Sequence, residues 1–293
     1  MTHRRAVLTL VLCCFLWSIA GVFTRHLDSA KSFEVTFWRS FFCAFAMIVW
    51  FMWTEGFKGG IAHVRASGWA GVIAGACWAT MFTCFMVALT MTSTANTVIV
   101  MALAPLITAL LSWIVLKSPI PGRTWIAIAI AIAGMAIMFG SALEGKSGAA
   151  AGMLVAFGVP LASAVNLVVM KRIHAKVDLA PAVLIGALIS CAVTLPLAFP
   201  FAATTKDVLL LAILGVFQLA IPCVLLIRAA KHLSAPETAL LGMLEVIMSP
   251  LWTWLFASEI PSSNTLIGGA IVIGALVLNE VVPKRSAQVN ATR

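Results

Sequence analysis

The chain has 293 residues, of which 62% are hydrophobic and 10% are charged, and its mean hydropathy is +1.08. Soluble globular domains are about half apolar and a quarter charged, so this composition excludes a water-soluble enzyme and indicates a protein of the lipid bilayer. The net charge of +9 does not point to nucleic acid, because the Lys and Arg residues are dispersed between apolar runs instead of forming one basic stripe.

Charged residues divide the sequence into ten apolar spans. A charge inside hydrocarbon is costly and about 20 apolar residues are needed to cross it, so each uncharged stretch of that length is a candidate helix. The stretch from Ala66 to Leu116 is too long for one helix, and we divide it at the polar cluster 90–94 into spans three and four. The other spans, numbered in chain order, are predicted at Ala6–Thr24, Phe33–Trp53, Thr124–Leu143, Ser147–Met170, Leu179–Thr205, Val208–Ile227, Pro236–Ser258 and Ile260–Asn279.

The distribution of Lys and Arg predicts the orientation of these spans. If both termini are cytoplasmic, most Lys and Arg residues fall in cytoplasmic segments, and the outer segments hold only Arg25, Lys31, Lys146 and Lys206. This asymmetry follows the positive-inside rule. We therefore expect a multi-pass protein of the cell inner membrane with both termini in the cytoplasm.

The second half of the sequence resembles the first. A shift of 141 residues superimposes identical residues of spans four and five on spans nine and ten, among them Ser93 and Ser234, Thr97 and Thr238, Trp113 and Trp254, and Thr124 and Thr265. Five spans per half is an odd number, so the halves would lie in opposite orientations, as in secondary transporters. The sequence therefore predicts an all-α polytopic membrane fold, with residues 1–143 and 144–293 as two inverted five-helix repeats. Chance similarity between alanine-rich helices is the alternative.

Three groups of residues carry a resemblance to a known family. They are Leu16-Trp17-Ser18 in span one, Phe37-Trp38-Arg39-Ser40 in span two, and Ser234-Ala-Pro-Glu-Thr, Glu245 and Trp252-Thr-Trp-Leu-Phe-Ala-Ser-Glu259-Ile-Pro at span nine. In order and spacing they resemble the EamA-type family of the drug/metabolite transporter superfamily, over essentially the whole chain. Lys117-Ser118-Pro119 stands where that family commonly has a glycine and a glutamate.

The resemblance implies a transport function and a central cavity. Within the family the chain is similar to exporters of aromatic and neutral amino acids. The family's fold places Pro160 and Pro222 in helices around the cavity, where a proline that removes a helix hydrogen bond can act as a hinge. Helix-packing adjustment is the alternative role for these prolines.

A site for a zwitterionic amino acid needs an apolar wall and a few polar groups. For the wall, Trp17 lies beside Ser18 near the middle of span one, and Trp78 and Phe82 share a face of span three with Phe85. Met101 could add an adaptable surface. Packing against lipid or neighbouring helices is the competing interpretation for each of these apolar side chains.

Polar side chains deep in the spans are the other candidate substrate ligands. Asn96, Asn166 and Gln218 each carry an amide that must find a hydrogen-bond partner in hydrocarbon, and Ser163 shares a helical face with Asn166. These groups can contact substrate or bond to another helix.

Two charged residues fall inside spans. Glu245 is the only carboxylate deep in a span, where it could carry a coupling proton, bind a substrate ammonium group or make a structural hydrogen bond. Arg39 lies about two turns into span two, and we expect it to anchor that helix by extending outward to the interface. A role as a carboxylate receptor is the second interpretation.

We therefore predict a secondary transporter that exports small metabolites, specifically neutral and aromatic amino acids, by alternating access. The alternatives are the same fold exporting nucleosides, sugars or amphipathic drugs, and an intramembrane lipid-handling protein. No enzyme activity, metal or cofactor is expected, because the spans contain no His/Asp cluster, Ser/His pairing or metal-ligand spacing. The expected partners are a small-molecule substrate and the bilayer, with no nucleic acid and with a monomer as the working assembly.

Overall fold

A computed structural model describes residues 2–144, 148–174, 178–229, 232–233 and 235–281. Lys146, Ser234 and the tail beyond Val281 lie outside this part of the chain. Every regular element in the described residues is helical, and eight helices are long and apolar enough to cross a membrane, with two shorter apolar helices after them. The ten spans run His3–Arg25, Ser32–Ala66, Gly68–Met91, Thr94–Leu116, Gly122–Glu144, Ala149–Arg172, Leu179–Ala198, Thr205–Ala229, Ala235–Ala257 and Ser263–Val281. The predicted all-α polytopic membrane fold is confirmed.

Two predicted span ends are wrong. The helix of span two continues past Trp53 to Ala66, with a break at Gly56, whose φ of 71° is in the left-handed region that glycine tolerates. Span seven ends at Ala198 instead of Thr205. The residues that follow are held at the start of span two, where the buried Glu34 carboxylate accepts hydrogen bonds from the backbone N–H groups of Ala202 and Ala203.

Several spans are interrupted within their length. Span one breaks at Ile19, and span four breaks between Met101 and Ala104, directly before Pro105. Span eight widens into a π-helix over Leu214–Ala220, immediately before Pro222. Proline lacks the N–H that would bond to the carbonyl four residues earlier, so the helix geometry changes on its N-terminal side. Pro160 lies within a continuous helix instead.

The spans contact one another in a regular pattern. Span three packs on spans six and seven, span two on seven and eight, span one on eight and nine, span four on six, and span five on ten. The set of contacts is unchanged when five is added to every span number and numbers above ten are counted again from one. The contact of three with six then corresponds to that of eight with one, and the contact of four with six corresponds to that of nine with one. The contacts of two with seven and of five with ten each correspond to themselves.

Spans four and nine end in the same hydrogen-bonded turn. Lys117 and Ser258, which are 141 residues apart, both have left-handed backbones, with φ of 55° and 52°. The next N–H bonds back to the carbonyl six residues earlier in each case, from Ser118 to Ser112 over 3.3 Å and from Glu259 to Thr253 over 3.1 Å. This turn satisfies carbonyls that the helix end would leave unpaired.

Candidate functional site

A cavity of about 170 Å³ lies among spans one, two, three, four, six, eight and nine. Both halves of the chain contribute to its wall. The wall is apolar apart from one cation, one amide and one carboxylate. Its lining residues are Trp17, Arg39, Trp78, Met81, Phe82, Phe85, Met101, Val159, Gln218, Leu219, Cys223 and Glu245.

Arg39 reaches this cavity from span two. Its side chain is buried, with 2% of its surface exposed, and its Nε donates a hydrogen bond of 3.0 Å to Oε1 of Gln218. The rings of Phe82 and Phe85 lie 5.9 and 5.6 Å from the guanidinium carbon, within the range of a cation–π interaction. The expectation that Arg39 extends outward to the interface is therefore wrong. Span two is packed by spans seven and eight on this face, so the charge is directed into the protein interior and away from lipid.

Gln218 connects three of the spans around the cavity. It lies in the π-helical part of span eight, and while its Oε1 accepts from Arg39, its Nε2 donates to the backbone carbonyl of Trp17 over 3.2 Å. That carbonyl lies next to the break of span one at Ile19. The amide thus holds both the arginine and the interrupted backbone that carries Trp17 in place.

Glu245 lines the same cavity from span nine. Among the ion pairs found in the described part of the chain, none joins Glu245 to Arg39. The cavity therefore presents a positive and a negative group that remain separate, with aromatic side chains on its apolar wall. Such an arrangement can receive a small molecule that carries both charges and an apolar group.

The cavity brings together a subset of the residues that sequence analysis singled out as substrate ligands. Those that line it are Trp17, Trp78, Phe82, Met101, Gln218 and Glu245. Ser18 lies outside the lining, where its hydroxyl donates to the carbonyl of Phe15 and accepts from Nε1 of Trp252 over 3.0 Å. The structure thus gives Ser18 a bond between spans one and nine.

Four further predicted residues lie away from this cavity. Pro160, Ser163 and Asn166 are in span six, which contributes Val159 to the lining, and Oδ1 of Asn166 is buried without a hydrogen-bond partner. Asn96 donates to Thr92 and accepts from Thr265 over 2.9 Å, so it joins the start of span four to the start of span ten. It lines a second, more polar cavity of about 590 Å³.

The second cavity is bordered by an ion pair that sequence analysis missed. Nε of Arg25 donates to Glu259 over 2.6 Å, and its two terminal nitrogens donate to the carbonyls of Leu89 and Thr92, each over 2.7 Å. Glu259 also accepts from the backbone N–H of Thr94 over 2.6 Å. The ends of spans one, three and nine and the start of span four are thereby held together.

The sequence indicated the other lining residues to different degrees. Phe85 shares the helical face of Trp78 and Phe82, so the spacing within span three was a sufficient signal for it. The inward direction of Arg39 had one available signal, which is that ionisable residues within spans generally face the bundle interior. Val159, Leu219 and Cys223 carry no such signal, because an apolar side chain that lines a cavity looks like any other in the sequence.

Comparison with known proteins identifies relatives along the whole chain. The EamA-like transporter family model matches residues 4–140 and 150–280. The pseudopaline exporter CntI of Pseudomonas aeruginosa is 24% identical over 280 residues, which cover 94% of this chain and 95% of that protein. An S-adenosylmethionine uptake transporter of Rickettsia prowazekii is 22% identical over 288 residues, covering 97% and 95%. A solved structure superposes with a TM-score of 0.66 at 17% identity, covering 97% of this chain and all of that one.

Proposed function

Because this multi-pass membrane protein belongs to the EamA-like transporter family, we propose that it is a secondary transporter that exports neutral and aromatic amino acids. The observation that carries the proposal is the cavity in which Arg39 and Glu245 present opposite charges beside Trp17, Trp78 and Phe82. An α-amino acid has a carboxylate and an ammonium group on one carbon, and an aromatic or aliphatic side chain could pack on the aromatic wall. A sugar or nucleoside would leave the two charges without partners, which is costly inside a protein.

Alternating access between two inverted halves is the proposed mechanism. Three features support it. The family model matches the chain twice, the set of helix contacts is unchanged when five is added to each span number, and spans four and nine end in the same turn. In such carriers the substrate site lies between the halves and opens to one face at a time. The cavity has this placement, since residues of both halves line it.

We propose an inner-membrane location with both termini in the cytoplasm, on the basis of the Lys and Arg asymmetry. This orientation places Arg25 and Glu259 at the outer face. The ion pair would then close the outer side while the cavity exchanges substrate with the cytoplasm. The two relatives are named for opposite directions of transport, one as an exporter and one for uptake, so direction needs a direct measurement.

Flux into liposomes tests the proposed function. Purified protein in vesicles should accumulate labelled phenylalanine and threonine down an imposed gradient, faster than protein-free vesicles do. Replacing Trp17 with Ala should reduce phenylalanine flux more than threonine flux, because the indole would pack on the aromatic ring of phenylalanine. Absence of flux for every amino acid, together with protein-dependent flux of a labelled nucleoside, sugar or amphipathic drug, would refute the amino-acid assignment and retain the transporter.

A further inference from the structure

One donor of Arg39 is buried and has no acceptor. Nη1 is enclosed by protein yet makes no hydrogen bond in the structure, while Nε of the same guanidinium bonds to Gln218. Buried charges in proteins are normally paired with an opposite charge, because an unpaired one keeps the cost of its lost hydration. The partner that Arg39 has is a neutral amide. Among the described residues, Arg39 lines the cavity without a carboxylate partner, which is the arrangement expected where a ligand completes the pairing.

The guanidinium is fixed in position before any ligand arrives. Gln218 holds Nε on one edge and is itself held by the Trp17 carbonyl, and the rings of Phe82 and Phe85 are close enough to restrict the plane. A planar guanidinium can donate two parallel hydrogen bonds to the two oxygens of a carboxylate. Because this orientation is already set, binding would not need to order a flexible side chain.

We infer that Arg39 is the receptor for a carboxylate of the transported molecule, and that Glu245 accepts from its ammonium group across the same cavity. The inference rests on the proposed amino-acid function and makes it more specific. It requires both charged groups on the substrate, so an amine without a carboxylate and an acid without an amine should each bind less well. Arg39 and Glu245 thus become the specificity-determining pair.

Truncated ligands combined with charge-removing variants test this assignment. The probes are L-phenylalanine, phenethylamine, which lacks the carboxylate, and 3-phenylpropionate, which lacks the amine, measured as competitors of labelled L-phenylalanine and by thermal stabilisation of the purified protein. Wild type should bind L-phenylalanine more than tenfold better than either analogue. Arg39→Gln should weaken L-phenylalanine more than tenfold and leave phenethylamine within about threefold. Glu245→Gln should show the converse, sparing 3-phenylpropionate.

Two further variants control for folding and for general loss of charge. Lys206→Gln removes an exposed cation whose partner is Asp28, outside the cavity, and should leave all three affinities unchanged. Arg39→Lys keeps the charge without the planar fork, and we expect it to weaken L-phenylalanine about three- to tenfold with no effect on phenethylamine. If Arg39→Gln does not fold, the lysine variant provides the same comparison.

The outcomes separate this inference from the proposed function. Equal weakening of L-phenylalanine and phenethylamine by either Arg39 variant would overturn the receptor role while amino-acid transport stands. The wild-type protein could bind 3-phenylpropionate in an Arg39-dependent manner without binding amino acids. That result would refute the amino-acid assignment and support the carboxylate receptor. Wild type that binds none of the three probes would overturn both.

Discussion

Arg25 and Glu259 form an ion pair, with Nε of the arginine 2.6 Å from Oε2 of the glutamate. The pair joins the end of span one to the second residue past the end of span nine. The position that matches Glu259 under the 141-residue shift is Ser118, which has no charge. At that end of the molecule Arg172 donates to the carbonyl of Val115 over 3.1 Å instead. The turn is repeated in both halves, but a carboxylate is present in only one of them. The turns at the ends of spans four and nine are therefore held by different interactions.

Removing this ion pair should open the face on which it lies, which is the outer face in the proposed orientation. Both side chains are partly buried, at 27% and 16% exposure, so the pair contributes more than a fully exposed one. With Cys223 as the only cysteine, we expect Glu259→Gln to raise its labelling rate by an impermeant maleimide at least threefold from outside, because Cys223 lines the central cavity. The control is Lys206→Gln, which breaks the exposed pair with Asp28. An unchanged labelling rate in Glu259→Gln would show that the pair does not close the outer side.

Glu245 should carry any dependence of transport on pH. It is the carboxylate that lines the cavity, so it is placed to exchange a proton whenever the cavity opens to either side. Glu245→Gln cannot change charge, and its residual flux should be constant between pH 5.5 and 8. Asp28→Asn, which alters an exposed carboxylate, is the control and should keep the wild-type profile. A profile that survives in Glu245→Gln would assign that glutamate to substrate binding or structure alone.

Gln218→Glu should block the substrate site. The new carboxylate would lie where an amide oxygen now accepts from Arg39 over 3.0 Å, and it would pair with the guanidinium directly. Since the arginine would then have an internal counter-charge, we expect L-phenylalanine affinity to fall at least tenfold. Gln218→Met, which removes the acceptor without adding charge, should cause a smaller loss. Binding titrations of both variants measure the difference, and equal losses would argue against competition for Arg39.

Gly134 and Gly268 should be intolerant of a side chain. A Cβ added to Gly134 would lie 2.7 Å from the backbone oxygen of Gly268, and one added to Gly268 would lie 2.5 Å from that of Gly134. Backbone cannot move aside as a flexible side chain can, so either alanine variant should destabilise the protein by about 1–3 kcal/mol. Gly140→Ala in the same span meets nothing within 4 Å and should be neutral or stabilising. Melting temperatures in detergent test this contrast.

Asp207 should stabilise the loops that follow spans one and seven. Its fully buried carboxylate accepts hydrogen bonds from the backbone N–H groups of Asp28 over 2.8 Å and of Ser29 and Thr204 over 3.1 Å each. An asparagine retains one acceptor oxygen and turns an amide toward the remaining donors, so Asp207→Asn should cost about 2 kcal/mol or more. The neighbouring Lys206→Gln is exposed and should cost little. A melting temperature of Asp207→Asn equal to that of Lys206→Gln would contradict this role.

The sequence by itself determined the local features of this protein. The cost of placing charge in hydrocarbon acts on each stretch of chain separately, so the spacing of charges was enough to predict ten helical spans and most of their limits. Residues 66–116 contain no charge, and there the polar cluster 90–94 gave the division, since the helices end at Met91 and begin at Thr94. The 141-residue shift likewise aligns Lys117 with Ser258, and both have left-handed backbones.

Only the tertiary structure decided which side chains meet. Arg39 contacts Gln218 from 179 positions away, and Arg25 meets Glu259 from 234 positions away. Hydropathy records how deep a residue lies in the membrane but not which direction it faces around its helix, so the sequence left open whether Arg39 points to lipid or to the interior. Helix packing settles that direction, because the burial of one face against neighbouring spans fixes the rotation of the whole helix.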